Sequence, residues 1–116
     1  MSFASNPSAA TGAGSYRRSL TPKQMEAEVY GRATRALREA EASGNPIAMA
    51  RAMADNRRLW DAVLGSVIDP TNQLPLPLRA QLATLARTVL RECDAEAPDT
   101  ALIIEVNEQI AAALWA

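Results

Sequence analysis

The chain is 116 residues long, 48% hydrophobic and only 4% aromatic, which bounds it to one globular domain with a mainly aliphatic core. It has no histidine and a single cysteine, Cys93, so the common zinc sites, Ser-His-Asp or Cys-His catalysis and any disulfide within the chain are excluded. The net charge of −1 hides an asymmetry: residues 1–91 hold all twelve bases and seven acids, whereas residues 92–116 hold six acids and no base. Such a split predicts attraction between the two parts within the fold, or two surfaces for different partners.

Residues 1–19 are rich in Ser, Ala, Gly and Asn. They carry too little apolar surface to offset the entropy of ordering, and a mobile segment is expected, with Tyr16 and the pair Arg17-Arg18 as its exceptions. The first fifteen residues lack the charged start and apolar core of a secretory signal. No apolar run approaches the roughly twenty residues of a membrane helix. A soluble protein of the reducing cytoplasm is expected, with no membrane contact.

The helical domain is predicted over residues 20–116. Thr21, Pro22 and Gln24 make a capping box with proline at the first helical position, and Leu20 and Met25 stand as a hydrophobic staple. The inner face of this first helix is predicted through Met25, Val29, Ala33, Ala36 or Leu37, and Ala40. Ser43-Gly44-Asn45-Pro46 ends it and starts the next, and so short a connection makes the two helices antiparallel neighbours. The second helix, Pro46 to about Ile68, carries the longest apolar seam: Met49, Met53, Trp60, Val63 and Val67, widened by Leu59, Leu64 and Ile68. Asn56 takes the one polar slot in that seam. It is expected to fix register or to satisfy backbone groups of the extended linker Leu74-Pro75-Leu76-Pro77, with Arg57 at the edge free to pair with a carboxylate. Gly65 reads as a point of close helix approach.

Pro77 is predicted to open a third helix with Leu78, Leu82, Leu85 and Val89 as its seam, and with Arg79, Arg87 and Arg91 facing water. Cys93 reads as a small apolar filler near its end. A fourth helix begins near Pro98 or Asp99 and buries Ile103, Val106, Ile110 and Ala113, with Leu102 and Leu114 alongside and Glu105 and Glu108 outward. The penultimate residue, Trp115, folds back or frays. Nothing reads as a strand. The fold class is all-α: a small single-domain bundle of about four helices behind a disordered N-terminal segment.

No catalytic, metal-binding or cofactor-binding constellation is present. Gly12 and Gly14 lie in a polar tail rather than after a strand, and Glu26/Glu28 and Asp94/Glu96 fall on predicted surface. The bases are scattered over three helices among acids rather than gathered as a stripe, so nucleic acid is not the expected partner. What remains is a binding module with an apolar groove, in which Met49 and Met53 either adapt to a guest or belong to the plain core.

The stretch Asn56-Arg57-Arg58-Leu59-Trp60, followed by Leu74-Pro75 and by Leu78-Arg79-Ala80, resembles the flagellar biosynthesis regulator FlaF family. Met25-Glu26-Ala27-Glu28 is similar to that family's acidic signature, and Tyr16 to its early tyrosine. Ala113-Leu114 departs from its usual Gly-Leu ending. The resemblance implies a flagellin-binding secretion chaperone and regulator of flagellin synthesis and flagellum assembly, working opposite the regulator FlbT without a cofactor. It would hold flagellin's amphipathic helices before export. The alternative is a post-transcriptional regulator acting on flagellin mRNA or a translation factor. The partner-binding candidates are Asn56, Arg57 and Arg79 as polar contacts, with Leu59, Trp60 and Leu74 as their supports.

Overall fold

A computed structural model describes residues 22–115. It comprises α1 (Pro22–Ser43), α2 (Pro46–Ile68), α3 (Leu76–Asp94) and α4 (Thr100–Trp115), with no strand among the described residues. The fold class read from the sequence is therefore the observed one. The N-terminal segment 1–19, Tyr16, the Leu20 staple and the Thr21 cap lie outside the described residues, as does the side chain of Trp115.

The turn between α1 and α2 follows from its residues. Gly44 takes the left-handed conformation, φ 64°, which costs glycine nothing because it has no Cβ. Its N–H then donates to the last free carbonyls of α1, Ala40 O at 3.1 Å and Glu41 O at 3.3 Å. Asn45 caps α2, its Oδ1 accepting from the N–H groups of Ile47 (2.9 Å) and Ala48 (3.3 Å). Proline follows at the first position, where no N–H is missed. α4 is opened in the same way: Asp99 Oδ1 accepts from Leu102 N at 3.0 Å.

The helices pack unequally. α1 lies mainly against α4 and α2 mainly against α3, the two pairs meet along α1 and α2, and α3 and α4 barely touch. The shared core holds Leu37, Met53, Trp60, Ala86, Val89, Ile103 and Val106, and Trp60 is wholly buried. Tyr30 meets Trp60 edge to face, ring centroids 5.7 Å apart at 64°, the arrangement that brings a positive ring edge onto a negative ring face.

Two seams differ from the periodicity reading. In α1 the buried set is Ala27, Ala33, Thr34, Leu37 and Ala40, while Met25 and Val29 remain exposed. In α3 it is Ala83, Ala86, Val89 and Cys93, with Leu82 and Leu85 half-buried and Leu78 exposed. Alanines make up three of the five buried residues in α1 and two of the four in α3, while Met25, Val29 and Leu78 stand to one side. Gly65 marks no close approach, since nothing lies within 4 Å of where its Cβ would sit.

At the centre a chain of side-chain hydrogen bonds links three helices. Trp60 Nε1 donates to Asn107 Oδ1 at 2.8 Å, Asn107 Nδ2 donates to Asn56 Oδ1 at 2.7 Å, and Asn56 Nδ2 donates to the carbonyls of Ala52 (2.9 Å) and Ala33 (3.2 Å). Asn56 and Asn107 are both fully buried. Asn56 therefore fixes register inside the core and does not reach the Leu74–Pro77 stretch, of which Leu76 and Pro77 already belong to α3 rather than to an extended linker. Asn72, two residues before it, serves the turn there, accepting from Leu74 N at 2.9 Å and donating to Ser66 O at 2.9 Å.

Removing either amide strands buried partners. Asn107→Ala and Asn56→Ala should each lose at least about 1–3 kcal/mol, the cost of an orphaned buried polar group. In urea titration the double variant should lose clearly less than the sum of the two, and strictly additive losses would argue against a connected chain. Alkaline pH acts on two other core groups. Burial, assisted by the charge of Glu26, pushes the Tyr30 hydroxyl up, and burial pushes the Cys93 thiol up. Folding thus favours both neutral forms. That stability is full below the unfolded values, about 8.5 for cysteine and about 10 for tyrosine, and is lost as pH rises through the folded ones. The urea midpoint should fall above pH ~8.5, and Cys93→Ala should remove the lower part of that fall.

Candidate functional site: an apolar recess at one end of the bundle

The N-terminal end of α1, the C-terminal end of α2, the start of α3 and the C-terminal end of α4 enclose an open recess of ≈ 690 Å³. α3 and α4 barely touch, which leaves the space between these walls open. Val29 and Tyr30 form the α1 wall, Leu59, Val63 and Val67 the α2 wall, Leu74, Leu78 and Leu82 the α3 side, and Ile110 and Leu114 the α4 wall. Lys23, Glu26 and Ser66 supply its polar atoms. The volume falls in the range of small-molecule pockets, ~300–1,000 Å³, but the recess opens to solvent between helices and has few groups to orient a small ligand. That shape suits the apolar side chains of a helix.

The residues singled out in the sequence divide by depth. Leu59 and Leu74 open directly on the recess. Trp60 and Asn56 lie beneath it, wholly buried, with Tyr30 between Trp60 and the opening. Arg57 points to the other end of α3, where its guanidinium pairs with Asp94 and reaches Cys93 O at 3.5 Å. The carboxylate pairing expected for Arg57 is thus present. It places a cation at a helix C-terminus, the negative end of the dipole.

Arg79 does not face water as its register suggested. Its Nε donates to Val67 O at 2.8 Å, at the end of α2, and its Nη2 donates to Asp69 O at 3.0 Å, which also accepts from Asn72 N at 3.0 Å. Arg79 thereby ties the start of α3 to the end of α2 and fixes the recess wall that carries Leu74 and Leu78. Asp69 completes this corner. Its Oδ1 accepts from the N–H of Thr71 at 2.8 Å and from the hydroxyl of Thr71 at 2.7 Å, and these bonds, aided by the Arg79 charge, hold its carboxyl below the usual carboxylate range.

Sequence reasoning missed Asn107 and the recess role of Val29, Leu78 and Leu114. Asn107 carried a readable signal: it follows Ile103 by four positions and precedes Ile110 by three, so it sits in the apolar seam of α4 as Asn56 sits in that of α2. Leu78 and Val29 carried none, because an apolar residue that lines a groove and one that fills a core share the same spacing.

No group of three or more potential metal ligands occurs among the described residues, and none of their helices is long and apolar enough to cross a membrane. The acidic end of the chain meets the arginine-rich part through Arg38–Glu108 and Arg57–Asp94. Both pairs are exposed and contribute little to stability.

Arg79→Ala should leave Val67 O without this partner and Asp69 O with only the Asn72 N–H, and cost about 0.5–1.5 kcal/mol per hydrogen bond lost. Arg79→Lys should recover only part of the loss in urea titration, because an ammonium lacks the fork that spans two carbonyls. Full recovery by lysine would show that charge alone matters there.

The flagellar protein FlaF family model matches residues 13–114. No curated protein and no solved structure matches the chain. The match spans all four helices, the Asn56–Trp60 stretch and every residue lining the recess. The chain belongs to the flagellar protein FlaF family, and its role lies in flagellar biogenesis or its regulation.

Proposed function

We propose that this protein is a cytoplasmic flagellin-binding secretion chaperone, and through that binding a regulator of flagellin synthesis and flagellum assembly. The observation that carries the reading is the open apolar recess, lined by residues of all four helices, on a chain of a flagellar family. Flagellin's terminal regions are amphipathic helices that polymerise when left exposed. A recess of this kind buries the apolar stripe of such a helix and keeps it from its fellows until export.

The exposed apolar residues fit that use. Leu74, Leu78 and Val29 are each about 40% exposed on the recess walls, and Leu76 and Ile68 stand more exposed still beside the α2–α3 corner. Apolar side chains gathered around one opening mark an interaction surface more often than scattered ones do. Binding needs no reaction and no cofactor: each leucine-sized side chain that leaves water contributes about 1.5–3 kcal/mol, against the cost of immobilising two molecules.

The test is capture of purified flagellin by the full chain, with Leu78→Asp as the comparison. Leu78 is exposed, so a carboxylate there should leave the urea midpoint almost unchanged. It should nevertheless weaken capture by more than tenfold, since a charge would enter the apolar contact. Undiminished capture by Leu78→Asp, or none by the native chain, would count against flagellin held in this recess.

A further inference from the structure

Beside the recess, between α1 and α2, lies a smaller hollow of ≈ 280 Å³ lined by Val29, Arg32, Ala33, Asp55 and Leu59. Val29 and Leu59 line both openings, so the two form one continuous groove that leaves the recess along the α1–α2 seam. Its charges do not balance. Lys23 and Glu26 at the recess rim, less than one turn apart on α1, offset each other. Asp55 is engaged by Arg58. Arg32 is exposed and makes no ion pair or hydrogen bond among the described residues. Its neighbour Arg35 differs in this, pairing with Glu28 at 3.8 Å.

We propose that the groove takes an amphipathic helix bearing a carboxylate one turn beyond its apolar stripe, and that Arg32 receives that carboxylate. The inference rests on the helix-binding reading of the recess and adds the partner's charge and orientation. Arg32 lies three residues along α1 from Val29, a rise of about 4.5 Å, close to one helical turn. A guest whose last apolar side chain packs on Val29 and Leu59 therefore brings its next exposed turn beside Arg32. The planar guanidinium matches a carboxylate with two parallel hydrogen bonds. Such a pair at a groove mouth sets register and direction more than affinity. It also rejects a guest lying the other way round, whose end at this point would be mispaired.

Synthetic amphipathic helices test this apart from flagellin. Three labelled peptides would share one apolar face and carry Glu, Gln or Lys one turn past it, titrated by fluorescence anisotropy against the full chain at low salt. The Glu peptide should bind about three- to fivefold more tightly than the Lys peptide, the scale of an exposed ion pair gained against one repelled. Arg32→Glu should reverse that order, while Arg87→Glu, an exposed site on α3 that lines neither opening, should leave it unchanged. Equal binding of all three peptides, or the same order in Arg32→Glu, overturns the assignment of Arg32. Binding by no peptide overturns the groove itself. Flagellin capture, measured alongside, separates the two ideas: capture without charge preference removes only Arg32, and peptide preference without flagellin capture removes only flagellin.

Discussion

One N–H group sets the orientation of the polar core. The indole of Trp60 can only donate, so the atom of Asn107 facing it must be the oxygen. The amide nitrogen of Asn107 then faces Asn56, which must present its own oxygen and turn its nitrogen to the carbonyls of Ala33 and Ala52. Neither asparagine has a second choice. Among the described residues no buried side-chain polar atom lacks a partner, which is what makes amides in an apolar interior tolerable. Helices of alanine and leucine can slide by a turn and still bury similar area. A directional chain from α2 to α4, back to α2 and on to α1 permits one alignment only.

That alignment leaves one end of the molecule open. The polar chain and the Trp60 ring hold α1, α2 and α4 at mid-height, and arginines tie α3 to α2 at both of its ends: Arg79 on the Val67 and Asp69 carbonyls, Arg57 on Asp94. With α3 committed to α2 and α4 to α1, the flank between α3 and α4 stays unfilled. The recess is thus a result of how the four helices share partners, and the apolar residues facing it are not misplaced core.

The helices and their ends were legible in the sequence because local chemistry decides them. Asn45-Pro46 and Gly44 locate one boundary and Asp99 another, through interactions that span three or four residues. The polar slot at Asn56 was legible too, as a break in an apolar pattern. Its partner was not, since Asn107 lies fifty-one positions away and an amide's spacing says nothing of what it faces. Arg79 was misjudged for a related reason: helical register places its Cα on the outer side, but a long side chain can reach back over the helix end beside it. An apolar groove was expected, but its walls were not legible, because helical spacing separates apolar from polar and does not separate filled from vacant.

The division into an α1–α4 pair and an α2–α3 pair carries a mechanical consequence. The pairs are joined along a single seam, and the amide chain pins that seam at one level. The contacts inside each pair are thus distinct from those that join the pairs, and the width of the mouth, whose walls come from both pairs, depends on the second kind.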